Sequence, residues 1–155
     1  MKILRAERED LKSILDLQKA CYQEEAELYN DFSIPPMTQT LESIEHDFEN
    51  EVFLKVEAIG KIIGSVRGYL DTDTCKIGRL IVDHNFRNNG LGTKLMEAIE
   101  SQFQAANRFE LFTGHKSERN LALYKKLGYF ELRKQRVNEH LELVFLEKLK
   151  KLPTK

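Results

Sequence analysis

The sequence has no long apolar run. Nothing in it approaches the roughly 18 consecutive apolar residues of a membrane span, so no membrane partner is expected. It also lacks a surplus of either charge. Lys and Arg number 24 and Asp and Glu 25, leaving a net charge of −1. A general nucleic-acid binder carries a large basic excess, so that class is set aside. Cysteine is scarce: Cys21 and Cys75 are the only two. They form no CxxC pair and no disulfide framework, and a cytoplasmic protein with two free thiols is the simplest expectation. The opening MKILRAEREDLK turns charged within five residues, which does not read as a signal peptide. His46, His84, His115 and His140 are dispersed without ligand spacing, so no metal is expected. Internal repeats and low-complexity segments are absent.

What is present is ordinary globular composition, with 41% hydrophobic and 32% charged residues over 155 positions. That length predicts one domain over residues 1–155, with a basic tail from Lys148 to Lys155 that frays. Lys2 to Ala6 reads as an edge strand. From Glu7 the apolar residues Leu11, Ile14, Leu15, Leu17 and Cys21 recur at helical steps. Asn30 to Thr40, with Pro35-Pro36, reads as a loop. A second helix follows, with Leu41, Ile44 and Phe48 on one face. The period then drops to two. Val52, Leu54, Val56 and Ala58 alternate with Phe53, Lys55 and Glu57, and a turn at Gly60-Lys61 leads into Ile62 to Leu70, which predicts an antiparallel hairpin. After a turn at Asp71-Thr72-Asp73, Lys76 to Val82 reads as a third strand. Gly90 to Phe103 is the clearest helix, with Leu95, Met96, Ile99 and Phe103 as its stripe. Phe109 to Thr113 is a strand. Ser117 to Leu127 is a helix with Ser117 as N-cap and Gly128 as stop. Strand-like runs at Tyr129 to Arg133 and Leu141 to Leu146 close the chain. This order predicts an α/β chain of the α+β type. Its sheet is mixed and largely antiparallel, with six or seven strands, one parallel pair and helices on both faces.

The informative stretch runs from Ile77 to Thr93. A strand ends at Leu80-Ile81-Val82, and a polar turn leads through Arg87, Asn88, Asn89, Gly90, Leu91, Gly92 and Thr93 into a helix. The first turn of a helix has backbone N–H groups without partners and a partial positive charge. Gly90 and Gly92 let an anion approach, and Arg87 adds a fixed charge, which together describe a phosphate or pyrophosphate cradle. A Walker A loop and a dinucleotide fingerprint both fail on spacing. The plain alternative is a pair of glycines that only shape a turn. One unit later, Asn120 and Tyr124 lie four apart on one helix face.

These two pieces, Arg87-x-x-Gly90-x-Gly92 after the strand and Asn120-x-x-x-Tyr124-x-x-x-Gly128-Tyr-Phe130, resemble the GNAT superfamily of acyl-CoA-dependent N-acyltransferases. The resemblance implies acetyl-CoA as the acyl donor. It implies that the backbone at Leu80, Ile81 and Val82 meets the pantetheine arm, in a gap where the central parallel pair splays. It also implies that Arg87 to Thr93 bind the pyrophosphate, that Asn120 contacts the cofactor, and that Tyr124 lies near the sulfur as general acid. The expected reaction is transfer of an acetyl group to a primary amine of a small molecule or peptide. A non-catalytic acyl-CoA sensor is the alternative. The strand before the loop has no carboxylate, so no general base is named; Glu24, Glu25, Glu27, Asp71, Asp73 and His84 are the candidates elsewhere. Glu24, Glu25, Glu27 and Asp31 could attract a cationic amine, with Tyr22, Tyr29 and Phe32 along its apolar part. Cys75 reads as a small buried hydrophobe rather than a nucleophile. A homodimer is possible through an exposed edge near Leu141 to Leu146.

Overall fold

The computed structural model describes residues 1–150. Strand β1 (Ile3–Arg5) leads through a 3₁₀ turn into helix α1 (Leu11–Leu28), a short helix α2 (Pro35–Thr38) and helix α3 (Leu41–Asn50). Strands β2 (Val52–Ala58), β3 (Lys61–Asp71) and β4 (Thr74–Val82) precede helix α4 (Leu91–Ser101). Strand β5 (Arg108–Gly114), helix α5 (Glu118–Lys126) and strands β6 (Phe130–Arg136) and β7 (Glu142–Leu149) complete it. Among the described residues seven strands form one sheet in the order β1-β2-β3-β4-β5-β7-β6, and of these only β4 and β5 run parallel to each other as neighbours. Among the described residues no helix is long and apolar enough to cross a membrane.

Helices cover both faces, and the pleat of β2 shows how. Leu54 and Val56 join the core cluster beneath α4 and α5, together with Leu95, Met96, Ile99 and Tyr124. Phe53, of opposite parity, joins Leu11, Ile14, Leu15 and Ile44 beneath α1 and α3. Sequence alternation left Phe53 beside Lys55 and Glu57, but the second helical layer buries it. Cys75 is fully buried in the first cluster, and burial pushes its thiol up from 9.0 to about 12. An unfolded chain releases that proton near pH 9, whereas the folded chain holds it. Stability is therefore intact below about pH 9 and falls as pH rises toward 12. Tyr124 and Tyr129, whose hydroxyls burial also pushes up, add to the fall above about pH 10. Cys75→Val is expected to flatten the decline in urea-unfolding free energy between pH 8 and pH 10.5. A pH slope equal to that of the native chain would contradict this.

Several sequence expectations change. The 30–40 segment is not all loop: Pro35 and Pro36 open α2, where a fixed φ suits a first turn and the missing N–H costs nothing. Leu41 is 42% exposed and leaves the α3 face to Ile44 and Phe48. The proposed edge near Leu141 to Leu146 is not an edge, because β7 lies between β5 and β6. The sheet ends at β6, where all seven residues are exposed and Arg133, Lys134 and Arg136 blunt the edge. The tail expected to fray from Lys148 instead keeps Lys148 and Leu149 in β7, with Lys148 Nζ 2.9 Å from Glu100. Its remainder, 151–155, lies outside the described residues.

A buried polar knot fixes α1, α2 and α3 to the sheet. Arg67, 4% exposed on β3, donates to Asp47 at 2.9 Å, to Gln39 at 3.1 Å and to Gln18 at 3.4 Å. Gln18 in turn donates to the Pro36 carbonyl at 3.0 Å, and the Arg67 guanidinium lies 4.9 Å from the Phe53 ring centroid.

Candidate active site

The parallel pair opens into a V. Register holds at Thr74↔Arg108, Cys75↔Phe109 and Lys76↔Glu110 and then stops. The joined end is tied by Lys76 to Glu110 at 2.5 Å and Arg108 to Glu110 at 2.9 Å. Burial alone would raise the Glu110 carboxyl, but these two cations outweigh it and hold it below its ordinary value. Beyond this point β4 bends away. Its register against β3 slips between Ser65 and Arg67, and Arg79 sits at the slip with φ +51°. An extra residue on one strand kinks that strand, and here the kink separates β4 from β5.

Hydrogen bonding decides which backbone groups face the V. The Asp83 N–H donates to the Ile63 carbonyl at 2.7 Å, and Gly64↔Val82 and Ser65↔Ile81 follow in register. By antiparallel alternation, the amide groups of Ile81 turn to β3 and those of Val82 turn into the V. The Val82 carbonyl is already engaged by Arg87 Nε and Cys21 Sγ, each at 3.4 Å. The Val82 N–H is thus a backbone donor pointing into the gap.

At the mouth of the V, α4 begins without a cap. Its N-cap is Gly90, with φ 77° and no side-chain hydrogen bond. The first helical bond runs from the Lys94 N–H to the Gly90 carbonyl at 3.1 Å, so the N–H groups of Leu91, Gly92 and Thr93 lie ahead of the intrahelical ladder. The two glycines serve different ends. Gly90 is needed for its left-handed backbone, and a Cβ there would meet nothing within 4 Å. At Gly92 a Cβ would come within 3.2 Å of Leu123 on α5, so that glycine seats one helix against the other as well as leaving its amide bare. Asn88 shares the left-handed region at φ 67°, and Asn89 donates to the Phe86 carbonyl at 3.3 Å.

Leu80 to Val82, Arg87, Asn88 and the start of α4 line one cleft of about 680 Å³, together with Tyr22, Glu24 and Glu25 of α1 and Asn120 of α5, whereas Asn89 and Tyr124 are not among its lining residues; the size suits a substantial ligand. Asn120 donates to Thr113 at 3.3 Å. Arg119 and Lys126 of α5 and Lys116 of the loop before it add three cations to that wall. Spacing did not mark them, because helix-surface cations usually face solvent. Tyr124 is 6% exposed. Burial pushes its hydroxyl well above the usual tyrosine range, with smaller contributions in the same direction from Tyr22 and Glu25.

The acidic residues part company. Glu24 accepts from Arg87 Nη1 at 3.1 and 3.0 Å and lies 3.5 Å from His84, so it spans the mouth. Asp31 accepts from Ser33 at 2.9 Å and from Asn138 at 3.1 Å, holding a loop. Asp71 and Asp73 flank the β3–β4 turn at the joined end, away from the V. Glu27 is exposed and accepts from Gln23 at 3.1 Å. Tyr29 and Ser117 are buried, and Ser117 bonds to Glu25 and Tyr29 instead of capping α5. Phe32 is 50% exposed.

No curated protein matches the sequence. Solved structures match closely in shape. Ribosomal-protein-S18-alanine N-acetyltransferase from Escherichia coli superposes with a TM-score of 0.80 at 15% identity, over 99% of this chain and 96% of that one. PaiA N-acetyltransferase from Thermoplasma acidophilum, in complex with coenzyme A, gives 0.78 at 13% identity, over 96% and 98%. A GNAT family acetyltransferase from Elizabethkingia anophelis with acetyl-CoA bound gives 0.63 at 20% identity, over 72% and 84%. At these identities the likeness is one of fold. The sequence profile of the acetyltransferase (GNAT) family matches residues 11–129. That span holds the V, the uncapped helix and the Asn120–Tyr124 face, and the chain belongs to the GNAT family of acetyltransferases.

Proposed function

We propose that this protein transfers an acetyl group from acetyl-CoA to a primary amine, by direct attack of the amine on the thioester. The observation that carries the reading is the join of an uncapped helix N-terminus to an open strand gap. The N–H groups of Leu91, Gly92 and Thr93 suit a diphosphate, because the helix end places partial positive charge where a doubly charged anion needs it. Arg87 stands at the rim. Asn88 and Asn89 shape the turn, and the Asn120 amide faces the same cleft. The structural relatives that hold coenzyme A or acetyl-CoA support this choice of donor.

The thioester supplies an activated carbonyl and a thiol leaving group. The Val82 N–H, pointing into the V, is placed to stabilise oxyanion character. Leu80 and Ile81 build the strand that presents it. Tyr124 carries a hydroxyl that burial keeps protonated. It is less acidic than a thiol, whose ordinary pKa is about 8.5, so it serves best by hydrogen-bonding the sulfur as negative charge grows. The walls of the V hold the two reactants in line, which contributes much of the rate.

A panel of n-butylamine, spermidine, L-lysine and an alanine-led peptide, offered with acetyl-CoA, tests the reading by thiol release. Release with at least one amine is expected. Tight coenzyme A binding without release from any amine would point to a sensor instead.

Glu24 competes with the diphosphate for Arg87. Glu24→Gln is expected to tighten coenzyme A binding at low salt by roughly 1.5- to 5-fold, the range of an exposed pair of about 0.2–1 kcal/mol. The gain should shrink at high salt. Calorimetry at two salt concentrations checks it, and weaker binding in the variant would contradict it.

A further inference from the structure

The base that the strand before the loop does not supply has a candidate on the opposite wall. Glu25 projects from α1 into the lining of the cleft. Ser117 Oγ donates to Glu25 Oε2 at 2.6 Å, and Tyr29 Oη lies 2.8 Å from Ser117 Oγ. The Lys116 N–H donates to Tyr29 Oη at 2.9 Å. The direction of this chain is fixed. An ionised carboxylate only accepts, so the single Ser117 proton goes to Glu25, and Tyr29 must donate to Ser117. The chain depends on one more residue, Gly114 at the end of β5, where a Cβ would collide with the Tyr29 ring and hydroxyl. One hydroxyl thus holds one oxygen of Glu25 directly, Tyr29 holds that hydroxyl, and the Lys116 amide holds Tyr29 in turn. Its other oxygen makes no hydrogen bond among the described residues, and no cation pairs with it there, in contrast to Glu24.

We propose that the Glu25 carboxylate receives the proton an acceptor ammonium must lose before attack, and that the hydroxyls of Ser117 and Tyr29 hold it for that task. This rests on the acetyl-transfer reading. The ammonium passes one proton to Glu25. The freed nitrogen lone pair forms the C–N bond to the thioester carbon, and the C–S bond breaks with its electron pair going to sulfur. The second N–H proton leaves as the amide forms and makes up the thiol, through Tyr124 or water. The proton on Glu25 returns to solvent. Glu25 is thus a catalytic residue, while Ser117 and Tyr29 are positioning residues. Around it stand Tyr22 on its own helix, Tyr29 just past the end of that helix, Lys116 on the loop, and Arg119 and Tyr124 on α5. The three tyrosines are all pushed above their ordinary range, by burial first.

The test is the pH profile of kcat/KM for the fastest amine of the panel, with full-length protein. Glu25→Gln keeps the shape of the side chain. It is expected to lower kcat/KM by about 10²–10³ at pH 7, and the deficit should close as pH passes the amine's own pKa, where no proton remains to be removed. Coenzyme A affinity should be unchanged. Ser117→Ala should show the same pH-dependent deficit at about 3- to 10-fold, and Ser117→Thr, which keeps the hydroxyl, should restore it. A Glu25→Gln profile that matches wild type, or a deficit that persists undiminished at high pH, overturns the assignment while leaving acetyl transfer intact. A wild-type protein that binds coenzyme A but acetylates nothing overturns both.

Discussion

Tyr124→Phe is expected to lower turnover by about 10²–10³-fold, the span of a lost hydrogen bond to charge developing in the transition state, while coenzyme A affinity stays within about twofold of wild type. The ring belongs to the core cluster and its tilted contact with Tyr129, centroids 6.0 Å apart, survives the substitution, so the fold is retained. Only the hydroxyl is lost. The diphosphate contacts proposed at α4 do not involve it, and for that reason binding and turnover separate. Burial holds the Tyr124 hydroxyl above the usual tyrosine range, so its donor form persists past pH 10 and no alkaline loss of activity between pH 8 and 10 should trace to it. Thiol release and calorimetry on the variant check both statements. Unchanged turnover would remove Tyr124 from the mechanism.

Arg67→Ala is expected to cost about 3–5 kcal/mol of stability, the penalty for breaking one side of a buried ionic network. The guanidinium satisfies Asp47, Gln39 and Gln18 together. Removing it leaves Asp47 of α3 with a single side-chain donor, Gln39 at 2.7 Å. Glu51, whose carboxyl burial pushes up, also loses the field of Arg67. The damage reaches function, because the knot holds α1, and α1 carries Glu24 and Glu25. Urea unfolding of the variant measures the loss; a change below about 1 kcal/mol would show that the knot contributes little.

The sequence showed more of the site's backbone than of its side-chain chemistry. The strand ending at Val82, the turn through Arg87 and the glycine-led α4 are local features. Each is encoded within a few residues by periodicity and by a backbone that only glycine adopts easily, so they read correctly in order. The parallel pair follows from strand, helix and strand in succession. The splay depends on Arg79 taking a left-handed φ inside a strand, and nothing in an Ile-Gly-Arg-Leu run signals that. Ser117 looked like an N-cap because caps are a local rule, yet its hydroxyl is claimed by Glu25 and Tyr29 from 92 and 88 positions away. Arg67 lies within the run that reads as a hairpin strand, and nothing local marks it as buried, because the layer that covers it comes from three helices elsewhere in the chain. The Leu141 to Leu146 run reads as an exposed edge, but the chain inserts it between β5 and β6. Long-range pairing, invisible to spacing, decides each of these cases.

The most direct test of the central claim is a crystal structure of the full chain grown with acetyl-CoA. The account predicts the diphosphate within hydrogen-bond distance of the N–H groups of Leu91, Gly92 and Thr93, with the thioester carbonyl in the V beside the Val82 N–H. A diphosphate bound elsewhere, with α4 left bare and the V empty of pantetheine, would contradict it.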